Sequence, residues 1–158
     1  MNLIEAICRG IHVLAAVCWI GGLYVLIRAV RPVLLKGDNP ESNYSLLREI
    51  QKKYRVLAGM MLMTLLITGF GNLFFIMYDG SKHTLAWMIL LGIKLIFVTI
   101  LFIIFFMNIY AADSQKKKLQ DNSDKPIEKP VFVLPKTALI VGLTIIFLGV
   151  LLHTNLVK

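Results

Sequence analysis

Long apolar runs alternate with short polar and basic stretches along the whole chain. The runs are Gly10–Ile27, Val56–Met77, Leu85–Tyr110 and Ala138–Leu152. A helix needs roughly 20 residues to cross a bilayer, and three of the runs fall in that range. The fourth reaches it when Phe132–Lys136 or His153–Val157 is added. None carries a charged stripe that could face water, so a soluble helical core is excluded. Backbone in hydrocarbon has no water to bond to and must be helical. The pattern therefore predicts an all-α integral membrane protein, an antiparallel up-down four-helix transmembrane bundle. It forms one domain over residues 1–158, with helices at about 5–30, 46–78, 84–112 and 134–155. Glu5 and Arg9 flank the first run, and Trp19-Ile20-Gly21-Gly22 lacks a small-residue cleavage pattern, so this run reads as a membrane helix and not a leader peptide.

The polar stretches set the expected topology. Turn-forming residues (Gly37, Asn39, Pro40) follow Arg31-Pro32, and then Leu46, Leu47, Ile50 and Tyr54 recur at helical spacing among charges. This predicts an amphipathic extension leading into the second span. Asp113–Pro135 reads as a polar, proline-containing loop, and Asp79–Lys82 as a tight turn.

The net charge of +8 belongs to these connections. Arg28, Arg31, Lys36, Arg48, Lys52, Lys53 and Arg55 lie between the first two spans, and Lys116, Lys117, Lys118, Lys125, Lys129 and Lys136 between the last two. The other side carries Arg9, Lys82 and Lys158. The positive-inside rule then predicts cytoplasmic basic loops with both termini outside, as expected for a bacterial inner (cytoplasmic) membrane protein. No aromatic–basic module points to nucleic acid. Cys8 and Cys18, about 15 Å apart along one helix, cannot bridge to each other.

Within the apolar runs, each helix carries a polar residue at a similar depth. Counted from the basic or aromatic boundaries Arg28, Arg55, Tyr110 and Lys136, His12, Asn72, Lys94 and His153 all lie about 24–25 Å up their helices. Small residues at helical spacing flank them: Ala15 and Ala16 beside His12, Gly69 and Thr68 beside Asn72, Gly149 and Gly142 beside His153. Such faces pack against other helices in membranes. His83 and Trp87 share a face with Lys94, His83 lying nearer the surface. Ionisable groups at such depth are costly and mark functional sites by default.

Two imidazoles on facing helices can ligate a b-type haem, which four-helix bundles readily hold. In that reading His12 and His153 are the metal ligands, with His83 the alternative partner for His12, and Lys94 and Arg9 neutralise the propionates. Trp19 and Asn72 complete the cofactor-binding set. Copper is the alternative, with His12, His83 and His153 joined by Met77, Met88 or Cys8 as soft ligands. A third reading treats the polar layer as adhesive between the helices of a scaffold subunit. No Ser-His-acid set supports a hydrolase.

The stretch Arg9-Gly10-Ile11-His12, continuing to Trp19-Ile20-Gly21-Gly22-Leu23-Tyr24 and Arg31-Pro32, resembles the first helix of the CopD-like (copper resistance D) membrane family. Tyr54-Arg55 with Thr68-Gly69-Phe70-Gly71-Asn72 resembles its second helix, and Gly92-Ile93-Lys94-Leu95 its third. More distantly, the pairing of His12 and the Trp19–Tyr24 stretch with Lys94-Leu95 is similar to the HemJ-type protoporphyrinogen oxidase. The second helix departs from that enzyme's acidic-arginine signature. The resemblance implies copper handling in one branch and haem or porphyrin chemistry at His12 and Lys94 in the other. The expected activity is electron transfer, or oxidation of a small reductant, by a membrane oxidoreductase. Its partners would be the lipid bilayer and a quinone or periplasmic redox protein; a homodimer is left open.

Overall fold

The computed structural model describes residues 3–36, 40–78, 84–121 and 133–153. Five helices account for nearly all of them: α1 (Leu3–Val25), α2 (Arg31–Lys36), α3 (Pro40–Tyr78), α4 (Leu85–Asp121) and α5 (Pro135–His153). A single π turn, Leu26–Val30, joins α1 to α2 without a break. Four stretches are long and apolar enough to cross a membrane: Leu3–Lys36, Ser42–Tyr78, Leu85–Lys117 and Pro135–Leu152. The expected turn at Asp79–Lys82 lies outside the described residues.

The polarity of the bundle suits lipid as its solvent. Outward-facing side chains are large and apolar, with Ile67, Phe70, Phe74, Ile96 and Phe106 all mostly exposed, whereas Gln51, Thr68, Asn108 and Gln115 are buried. An apolar surface this extensive would be a liability in water. One buried cluster draws on all four long helices: Trp19 and Leu23 from α1, Ala58 and Leu62 from α3, Leu101 and Ile104 from α4, Ala138 and Val141 from α5.

Close approach depends on particular glycines. A Cβ at Gly142 would lie 2.6 Å from the Trp19 ring, and one at Gly22 would lie 2.9 Å from Tyr54. The Tyr54 hydroxyl in turn donates to the Trp19 carbonyl at 2.9 Å, tying α3 to α1 where the glycine lets the ring pass. Contacts between these helices run in register: Cys8 meets Thr68 and Gly71, His12 meets Thr68 and Gly69, and Trp19 and Gly22 meet Tyr54.

The helices outrun the expected boundaries in three places. Helical structure continues through Arg31-Pro32 to Lys36. Proline lacks an N–H and crowds the carbonyl four residues earlier, which normally ends or kinks a helix. Here the ladder has already widened, because the Arg31 N–H bonds the Leu26 carbonyl five residues back. α3 begins at Pro40, six residues before the expected start, and α4 runs to Asp121, nine beyond the expected end. Their polar extensions carry good helix formers and i,i+4 ion pairs, Lys53–Glu49 at 3.1 Å and Lys117–Asp113 at 3.5 Å.

The start of α5 is held by a clasp. Buried Asn108 on α4 donates from Nδ2 to the Val133 carbonyl at 2.9 Å, and its Oδ1 accepts from the Val133 N–H at 2.7 Å. The next residue, Leu134, has φ of 47°, a left-handed conformation that costs a side-chain-bearing residue roughly 1–2 kcal/mol. Asn108 thus satisfies both backbone groups of Val133 beside the strained step into α5.

Gly142→Val should lower stability by about 1–3 kcal/mol through overpacking against Trp19. Gly21→Ala, where nothing lies within 4 Å of the added carbon, should be neutral or slightly stabilising, and thermal unfolding in detergent compares the two. In the same assay Asn108→Leu should cost about 1–3 kcal/mol, because it removes the partner of two part-buried backbone groups.

Candidate functional site

At one end of the bundle, hereafter the His12 end, α1 presents Cys8, Arg9 and His12 while α3 presents Thr68, Gly69, Gly71 and Asn72. The imidazole is tethered across the two helices: His12 Nδ1 lies 2.8 Å from Thr68 Oγ1. The direction of this bond follows from the next one. Thr68 Oγ1 donates its only proton to the Thr64 carbonyl at 2.6 Å, the usual back-bond of a helical threonine. With that proton on the backbone, the oxygen offers His12 a lone pair, and a neutral ring donating from Nδ1–H to it would keep its own lone pair on Nε2. A donor bond at Nδ1 is how proteins fix the tautomer and aim of a metal-binding or proton-accepting histidine.

Glycines shape the surroundings. A Cβ at Gly69 would lie 3.4 Å from His12 Cε1, and one at Gly71 would lie 3.1 Å from Cys8 Sγ. The Cys8 thiol points at the Thr68 carbonyl at 3.5 Å, so both α1 side chains rest on one turn of α3.

Lys94 enters from α4. Its Nζ lies 3.3 Å from where a Gly149 Cβ would be, so α5 is small where the ammonium lies. Lys94 makes no hydrogen bond or ion pair among the described residues, and it is close enough for its charge to act on His12. A half-buried lysine thus sits near a half-buried imidazole in an apolar span, and an ammonium there calls for an anion.

The remaining candidate residues are distributed unevenly. Arg9 is ion-paired with Glu5 one turn away on α1. Trp19 lies two turns below His12, buried in the central cluster against Gly142. Asn72 is on α3 one turn beyond Thr68, with a buried Oδ1 that has no donor among the described residues. Position 153 follows Gly149 by one turn on α5 and shares its face, about 6 Å farther along the axis; its side chain lies outside the described residues, as does the whole of His83. Met77 and Met88, the sulfur ligands of the copper alternative, are mostly exposed. Among the described residues no three His, Cys, Asp or Glu side chains converge as a metal-holding group.

Thr68 is the site residue that the sequence reading undervalued. Asn72 stood out as the polar residue of that span, yet the hydroxyl one turn earlier is what meets the imidazole. The available signal was the spacing, since Thr68 and Asn72 are four apart and share a face.

No family model matches the chain, no curated protein matches it, and no solved structure matches it.

Proposed function

We propose that this protein is a membrane redox protein that binds haem b at the His12 end, where His12 and His153 would hold the iron. The observation that carries the reading is the Thr64–Thr68–His12 chain of contacts, which ties the imidazole to α3 through Nδ1; a ring that donates from Nδ1 would keep its Nε2 lone pair for a metal. Lys94, which has no acid partner among the described residues, would take a propionate, and Arg9, now paired with Glu5, would serve nearer the surface. Asn72 Oδ1 supplies a further unpaired acceptor beside the site. When bound, the haem supplies one-electron chemistry, for electron transfer or for oxidation of a small lipid-soluble or periplasmic reductant. What the chain itself does is hold one ligand in a single tautomer, place a cation beside it and keep the surrounding span dry.

The same reading includes the topology. Contacts that pair early α1 with late α3, and Lys94 and Asn108 of α4 with Gly149 and Val133 of α5, support an antiparallel up-down bundle. The basic loops would then lie on the cytoplasmic side of a bacterial inner membrane and both termini outside. Copper fits less well, because Lys94 would repel a bare cation and the two methionines face outward. Resemblance to the porphyrinogen oxidase rests on His12 and Lys94, which share this site.

Protein purified in detergent should give a Soret band and a reduced-minus-oxidised visible difference spectrum. His12→Ala should abolish both. Thr68→Val should weaken haem retention about 10–100-fold, the usual effect of removing a ligand's supporting bond, while Thr68→Ser should restore it. An absent Soret band with stoichiometric copper by elemental analysis would assign the site to the rival metal, and pigment surviving His12→Ala would remove the proposed ligand.

A further inference from the structure

The opposite end of the bundle has the inverse deficit. Among the described residues, the buried polar atom without a partner at the His12 end is an acceptor, Asn72 Oδ1, and those at the Arg55 end are donors. Buried Gln51, 2% exposed, has no acceptor for Nε2 among the described residues, and Arg31 has none for Nε. One turn after Gln51, on the same face of α3, Arg55 makes no hydrogen bond or ion pair among the described residues. Its neighbour Tyr54 has its hydroxyl proton committed to the Trp19 carbonyl. Unpaired guanidinium and amide donors at a membrane boundary call for an oxyanion.

Arg55 also opens onto a cavity. The space, about 40 Å³, is half-open and lined by Arg55, Tyr54, Ala58, Leu101, Ile104 and Phe105 among others. It accommodates about three water-sized groups, which suits the oxygens of a phosphate. Besides Arg55 and Tyr54 the one other polar wall is Asn108, whose amide is already bonded to Val133, and the remainder is apolar, so the occupant has to present a charged head and a hydrocarbon body together. Arg55 lies where the apolar part of the span meets the basic loops, the level of lipid phosphates in that leaflet. Arginine forks onto phosphate oxygens bidentately, and basic pockets between spans on the cytoplasmic side bind anionic lipid headgroups.

We infer that the Arg55 cleft is a binding site for one anionic phospholipid, whose phosphate pairs with Arg55 and whose first methylenes lie against Ile104 and Phe105. The cationic loops around it recruit such lipids into the surrounding leaflet, while Arg55 selects the one that occupies the cleft. This site is independent of the haem reading.

The test uses detergent-solubilised full-length protein supplied with phosphatidylglycerol or with phosphatidylcholine of the same acyl chains. Phosphatidylglycerol should raise the unfolding midpoint of the wild type by roughly 3 °C more than phosphatidylcholine. Arg55→Gln should erase that difference, whereas Lys53→Gln, an exposed cation paired with Glu49, should keep it. Native mass spectrometry of the wild type should show one phosphatidylglycerol retained in preference to phosphatidylcholine. That measurement stands even if Arg55→Gln does not fold. The proposal is overturned if the wild type shows no preference, if Arg55→Gln keeps the difference, if Lys53→Gln loses it equally, or if inorganic phosphate alone reproduces the shift.

Discussion

An imidazole inside hydrocarbon has to place its N–H on an acceptor, and in this protein that acceptor is a threonine hydroxyl whose own proton is already committed. The constraint propagates outward from there. Because Thr68 bonds back to Thr64, it offers His12 a lone pair and nothing else. A ring that donates from Nδ1 to that lone pair would in turn keep Nε2 as a donor of electrons. Because α1 and α3 must approach closely for this bond to form, residues 69 and 71 of α3 are glycines against His12 and Cys8. One hydrogen bond thus links tautomer, helix packing and prospective chemistry.

The two ends of the bundle then divide by the sign of what they lack. Among the described residues the His12 end combines an imidazole, a Lys94 side chain without an acid partner and an Asn72 carbonyl oxygen without a donor. Among the described residues the unpartnered atoms at the Arg55 end are donors, beside a mainly apolar cleft, which suits the phosphate of a lipid. Trp19 and the buried cluster form the inner wall of the Arg55 cleft, and the Trp19–Gly142 contact lies on the His12 side of that wall.

The spans were legible in the chain because a run such as Leu85–Tyr110 has no other stable home than lipid. Their polar ends were not. The segment after Tyr110 carries Ala111, Ala112, Gln115 and several lysines, which favour a helix without any apolar periodicity to announce it. Pro32 reads as a terminator, and only the ladder shows that a π turn has absorbed it. His12 and Lys94 stood out because charge and imidazole are rare in such runs. Thr68 and Asn108 did not, because a hydroxyl or amide in a span can satisfy itself on several partners, and which one it chooses depends on the neighbouring helix. The roles of His83 and the His153 side chain fall outside the described residues.

The account is tested most directly by the protonation of the His12 ring itself. Nitrogen-15 NMR of protein labelled selectively at histidine, with the His12 signals identified by their loss in His12→Gln, reports each ring nitrogen separately. The account predicts a protonated Nδ1 and an unprotonated Nε2, with that assignment lost in Thr68→Val. An Nε2–H tautomer, or a ring unaffected by removal of the Thr68 hydroxyl, would contradict it.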